Sequence, residues 1–196
     1  MARRSKADAE KTREQLIDVS TRLFETKGYA ETSVKEICEA LGITKGALFH
    51  HFKSKDRLFL EVWTRLQKQM DDAARAAAFA ARSRTDPYSA FLAGCRTYLR
   101  YATRRDYQKI VLIDGPAILG LQGWYERDHD LGTQNVHAGV RYLSKKGIVA
   151  AHRVAPFAVM LQSALNGAGF ALARDEEGVD ASSIYDSFEK MVRALR

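Results

Sequence analysis

The twenty-three residues from Ser33 to Lys55, SVKEICEALGITKGALFHHFKSK, constrain the fold more than any other stretch. Ser33 and Glu36 have the spacing of a capping box, in which each closes an orphan group of the other at a helix start. Val34, Ile37 and Leu41 follow at i, i+3 and i+7, giving one apolar stripe. Gly42 stands where a left-handed residue ends a helix cheaply. Ile43 reads as a buried turn residue, and Thr44 caps a second short helix from Lys45 to about His51. Two capped helices joined by a short glycine-containing turn form a helix-turn-helix, whose second helix enters the major groove of DNA.

Charge agrees with that use. From Leu41 to Leu60 four basic residues (Lys45, Lys53, Lys55, Arg57) face one acid, Asp56. Lys45, Gly46 and Ala47 are small or basic, so the backbone at the start of the second helix can approach a phosphate or base edge closely. Upstream, Leu16, Ile17, Val19, Leu23 and Phe24 have helical spacing, and Gly28 ends that helix. Phe24, Tyr29, Phe52 and Leu58 would close a small core behind the reading unit.

The run TSVKEICEALGITKGALFHHFKSK, with LIDVSTRLFETKGY before it and DRLF after it, resembles the N-terminal DNA-binding domain of the tetracycline-repressor (TetR) family of bacterial regulators. The resemblance covers roughly residues 13–60. It implies an all-α fold of about nine helices, with a DNA-binding domain over 1–54 and an effector-binding and dimerisation domain over 55–196. Its partners would be a double-stranded DNA operator, a second copy of the chain and a small-molecule effector. Thr44, Lys45, Gly46 and Ala47 would face the groove, while Ser33, His50, His51 and Lys55 would hold phosphates, which set register and affinity. The family usually has a tyrosine where this chain has Phe49. Without that hydroxyl, Phe49 offers an apolar contact, to a thymine methyl or to its own core.

The first eight residues carry Arg3, Arg4 and Lys6, which suit either a basic arm in the minor groove or a solvated terminus. The net charge of +7 is spread: twelve Lys/Arg against nine Asp/Glu in the first sixty residues, nineteen against fifteen beyond. That mild bias suits a nucleic-acid partner without requiring one. Cys38 and Cys95 match no metal or redox spacing, and no metal or cofactor is expected. No apolar run is expected to approach the ~18 residues of a membrane span. The polar N-terminus lacks the apolar core of a signal peptide. The expected location is cytoplasmic.

Beyond the head, Ser54 caps a long helix from Lys55 to about Arg82, striped by Leu58, Val62, Leu66 and Met70. Pro87 suits the first position of a helix to about Thr103. Another runs from Tyr107 to about Ile113, and the Asp114-Gly115-Pro116 step should break or kink it. A helix from about Gln122 to Lys146, capped by Gly147, precedes one from about Ala155 to Arg174 that is apolar on most of its circumference. Ser182 or Ser183 caps the last.

These helices would enclose a pocket with Trp63, Phe91, Tyr98, Tyr101 and Trp124 as aromatic walls and Asp114, His129 and Asn166 as polar handles. Most pockets are apolar, so the composition alone does not name a ligand. The last two helices carry more apolar surface than one neighbour covers. Phe157, Leu161, Ala164, Leu165, Ala168, Ala171, Ile184, Phe188 and Met191 are therefore expected to meet their symmetry mates in a twofold four-helix bundle. An enzyme is the rival class: Asp114, His129 and His152 are possible acid–base groups. They come without a nucleophile motif, a phosphate loop or a metal-spaced set. A scaffold that has lost DNA binding is the other rival, with Phe49 as its support.

Overall fold

Local chemistry sets the start of each helix in the N-terminal third. The computed structural model describes residues 6–128 and 134–195. Ser33 Oγ accepts from the Glu36 amide (3.2 Å) and the Glu36 carboxylate accepts from the Ser33 amide (2.9 Å), completing the capping box. Helix α2 (Val34–Leu41) follows and ends at Gly42, φ 63°. Thr44 caps α3 (Lys45–Phe52), and Ser54 caps α4 (Lys55–Ala80). Helix α1 (Lys6–Glu31) lies behind them and bends at Gly28 (φ 82°, ψ 168°). Leu16, Phe24, Ile37, Leu48 and Leu58 are fully buried between the four helices. Phe59 meets Phe24 and Tyr29 edge-on at 5.5 and 5.1 Å, and Phe24 and Tyr29 are tilted to each other at 5.8 Å.

The remainder comprises α5 (Ser89–Tyr101), a π-helical segment Tyr107–Asp114, α6 (Gly115–Asp128), α7 (Gln134–Lys145), a 3-10 turn Ala151–Arg153, α8 (Val154–Ala173) and α9 (Ala181–Arg193). No strand occurs among the described residues, so the fold is all-α as expected. Helix α4 packs along α5, α7 along α8, and the π-helical segment lies against α1, α6 and α8.

Several boundaries differ from the sequence expectation. Helix α5 opens at Ser89, because Asp86 first accepts the Tyr88 amide (2.9 Å) in a turn that includes Pro87. The Asp114-Gly115-Pro116 step does not stop the chain: π winding gives way to α winding there, and Pro116 falls in the first turn of α6, where no amide is needed. A kink lies at Gly120 (φ 71°), and of the helix expected from Gln122 to Lys146 the described parts belong to α6, up to Asp128, and to α7, from Gln134. Asp180, rather than either serine, caps α9 by accepting from both serine amides. Helix α8, with its 3-10 turn, is 23 residues long and apolar enough by length and composition to cross a membrane, which corrects the expectation for apolar runs. It does so through alanine, glycine and scattered leucines, and Gln162, Ser163 and Asn166 interrupt it.

Candidate nucleic-acid interface and ligand cavity

Helix α3 divides cleanly into two faces. Leu48 and Phe52 turn inward, at 0% and 4% exposure. Thr44, Lys45, Gly46, Phe49, His50 and Lys53 are exposed, and Ala47 and His51 are half-buried. The exposed set falls at i and i+4, so Lys45, Phe49 and Lys53 form one row and Gly46 and His50 the next. Thr44 Oγ1 accepts from the Ala47 amide (3.2 Å), holding the first turn of this face in place. Phe49 is 41% exposed, an aromatic ring on the outward surface. Arg3 and Arg4 lie outside the described residues.

Two residues sit differently from the sequence reading. Lys55 turns inward, its ammonium donating to the Tyr29 and Thr32 carbonyls (2.8 Å each) and lying 3.9 Å from the centre of the Tyr29 ring. Two of its three donors thereby tie the start of α4 to the end of α1. Lys53, noted only for its charge, ends α3 in a positive-φ conformation (φ 56°) on the outward row. A basic residue at a helix C-terminus was the available signal.

The head joins the larger domain at a notch. Asp114 Oδ2 accepts from the Tyr29 amide (2.8 Å), and Oδ1 accepts from Lys109 Nζ (2.8 Å). At Gly28 a Cβ would lie 2.7 Å from Lys109 Cε and would require a strained positive φ, so glycine is needed for this approach. Asp114 is therefore a junction residue and not part of a cavity wall.

The cavity lies between α4, α5, α7 and α8 and encloses about 600 Å³, within the ~300–1,000 Å³ of small-molecule sites. Phe91 and Tyr98 line it. Met70, Ala74, Cys95, Val136 and Leu165 complete its apolar interior, and Arg75, Arg82, Ser83, Asp86, Asn135 and Gln162 supply polar groups. Burial pushes the Cys95 thiol well above its ordinary value, so it is a neutral wall group. At Gly139 a Cβ would lie 2.2 Å from the Phe91 ring, so this glycine lets α7 close over the aromatic wall.

The other expected wall residues are elsewhere. Trp63 is buried against Gly115, whose added Cβ would be 2.8 Å from Nε1. Trp124 donates from Nε1 to the Val111 carbonyl (3.0 Å), pinning α6 to the π-helical segment. Tyr101 donates to the Gln69 carbonyl (3.3 Å), and Asn166 accepts from Gln162 inside the fold (2.9 Å). His129 lies outside the described residues. Large aromatics and buried amides serve a core as readily as a cavity, so their presence could not separate the two uses.

On α8 and α9 the expected interface set also divides. Leu161, Leu165 and Phe188 are buried by the chain itself, while Phe157, Ala168, Ala171 and Ile184 are half-buried. Ala164 and Met191 are exposed. Val159 and Met160, outside that set, are 63% and 64% exposed. A single chain uses Leu161, Leu165 and Phe188 for its own core.

Known proteins resemble both parts of the chain. The family model for bacterial regulatory proteins of the tetR family matches residues 16–62, and that for the tetracyclin repressor-like C-terminal domain matches 88–195. The transcriptional regulator AcrR of Shigella flexneri is 48% identical over 63 residues, which is 32% of this chain and 29% of AcrR. The regulator TtgR of Pseudomonas putida is 38% identical over 76 residues, 39% of this chain and 36% of TtgR. The chain thus matches about a third of the length of these relatives. The crystal structure of a TetR-family transcriptional regulator from Pectobacterium atrosepticum extends the likeness, with 28% identity, a TM-score of 0.79, and coverage of 98% of this chain and 97% of that one. With a helix-turn-helix head matched at one end and a cavity-bearing helical domain at the other, the chain belongs to the TetR family of bacterial regulatory proteins.

Proposed function

We propose that the chain is a ligand-responsive transcriptional repressor that binds a twofold-symmetric operator as a homodimer in the cytoplasm. The outward face of α3 supports this reading most: a lysine at each end, a glycine for close approach and an exposed aromatic ring, all on a helix fixed by Thr44 and buried through Leu48 and Phe52. Lys45 and Thr44 would read base edges, Phe49 would meet a thymine methyl, and Lys53, His50 and Ser33 would hold phosphates. The exposed Val159, Met160 and Met191 on α8 and α9 would pair with a second copy. A dimer places two reading helices about one turn of DNA apart, ~34–36 Å.

A route from cavity to head supports ligand response. Tyr98 lines the cavity and meets Tyr107 edge-on at 6.5 Å, at the first residue of the π-helical segment. The segment ends at Asp114, which holds the Tyr29 amide in the head. A ligand that favours one position of this segment would favour one spacing of the two heads. π-helical turns are rare and often functional.

Selection of bound duplexes from a random pool, using purified protein at moderate salt, tests the reading. An inverted repeat is expected, with sedimentation showing a dimer. A monomer at micromolar concentration, or recovery of no sequence above background with or without small-molecule mixtures, would contradict it.

A further inference from the structure

The charges at the cavity mouth differ in whether they are already neutralised. Arg75 is paired with Asp71 at 3.0 Å and lies 3.6 Å from Asp72. Asp86 is held by the forked guanidinium of Arg193 (2.8 and 3.2 Å), which keeps its carboxyl below the ordinary carboxylate range. Arg82 has neither kind of partner. Its guanidinium lies 4.5 Å above the Phe79 ring, and among the described residues no carboxylate pairs with it. Asp86, committed to Arg193, is the one carboxylate among the described lining residues. Phe79, the platform under Arg82, is itself 67% exposed at the mouth.

We infer that the cavity takes an amphipathic organic anion, an apolar body seated among Met70, Phe91, Cys95 and Leu165 with its anionic head on Arg82. This deepens the ligand-responsive reading and rests on it. A cationic ligand would meet Arg82 and find no uncommitted carboxylate in the described lining, whereas an anion meets a planar guanidinium already flattened over an aromatic ring. Ser83 and Asn135 at the same mouth are already engaged, Ser83 Oγ with the Thr85 and Asp86 amides and Asn135 with Asp71, so the anionic head rests on Arg82.

Titration calorimetry with the full-length protein and three ten-carbon probes tests this: decanoate, 1-decanol and decyltrimethylammonium. Decanoate is expected to bind about tenfold more tightly than the alcohol, the size of one charge-assisted contact, and the ammonium probe more weakly than both. Arg82→Gln, a surface change that leaves the core intact, should bring decanoate down to the level of the alcohol, and Arg82→Lys should retain part of the difference. Ala78→Trp, which fills the cavity, should weaken all three. If the probes bind equally and Arg82→Gln changes nothing, the anion preference is wrong while the ligand cavity stands. Tightest binding of the ammonium probe likewise overturns the inference alone. If none of the three binds, the cavity reading falls and the inference with it.

Discussion

The two parts of the molecule are ordered by different means. In and just after the head, three successive helices, α2, α3 and α4, are each started by a hydroxyl three residues from its own backbone target, at Ser33, Thr44 and Ser54. In the larger domain α5 lacks a side-chain cap, one segment is wound as a π-helix, and α6 is broken at Gly120. There the fold is held by contacts between distant residues: Trp124 on Val111, Gly139 under Phe91, Arg193 on Asp86. A unit specified locally keeps its shape when its surroundings move. A unit specified by long-range packing around a cavity changes when the cavity is filled. Under the proposed function, a head that would read DNA on a body that would sense a ligand needs that difference.

The largest effect should come from the head's core. Phe24→Ala is expected to cost about 3–5 kcal/mol, since the fully buried ring packs on both Tyr29 and Phe59. Urea unfolding followed by circular dichroism measures it, and operator binding should be lost with it. If DNA binding survives, the head does not depend on this core.

In the larger domain two glycines sharpen the contrast. Gly139→Ala drives a Cβ into the Phe91 ring and should destabilise by about 1–3 kcal/mol while weakening cavity ligands. At Gly94 an added Cβ would meet the Ala74 carbonyl at 3.6 Å, an ordinary contact, so Gly94→Ala should be neutral or stabilise by up to about 1 kcal/mol. Melting curves of the two variants compare them directly. Equal effects would mean that the close approach at Gly139 is not tight.

The link between the two parts is the next target. Asp114→Ala removes the acceptor for the Tyr29 amide and the partner of Lys109. Stability is expected to fall by about 1–3 kcal/mol, the cost of an orphaned part-buried donor. Ligand-induced change in operator affinity should shrink, while ligand affinity itself stays close to wild type. Fluorescence anisotropy with and without ligand separates the two readouts.

How much was legible follows the same division. Ser33 with Glu36, Thr44 and Ser54 announced the head because each cap lies within three residues of its target. Phe91 and Tyr98 line the cavity, whereas Trp63 and Trp124 lie in the core. What assigns an aromatic ring to a wall or to a core is the neighbour it meets, and those neighbours, Gly115 and Val111, lie far along the chain. Lys55 shows the limit within the head itself. Its charge suggested phosphate, yet its ammonium is spent on two backbone carbonyls, of Tyr29 in the last turn of α1 and of Thr32 just beyond it.

The smallest effects concern the caps. Thr44→Ala should cost about 1 kcal/mol. Glu36, held by Lys27 and by the Ser33 amide, has its pKa lowered from 4.5 to about 2. Its contribution is therefore fully present at neutral pH, begins to fade below about 4.5 and is lost as the pH falls through about 2. Melting temperatures of the wild type and Glu36→Gln should accordingly differ at neutral pH and converge toward pH 2. A constant difference would show that the carboxylate is not held in this way.

The outward face of α3 is the centre of the account, and salt-dependent anisotropy on the selected inverted repeat and a scrambled duplex tests it most directly. Lys53→Ala should weaken binding to both duplexes alike and lower the slope of log affinity against log salt by about one per protomer. Lys45→Ala should instead reduce the preference for the inverted repeat over the scrambled sequence. Unchanged affinity, slope and preference in both variants would contradict the assignment of this face to DNA.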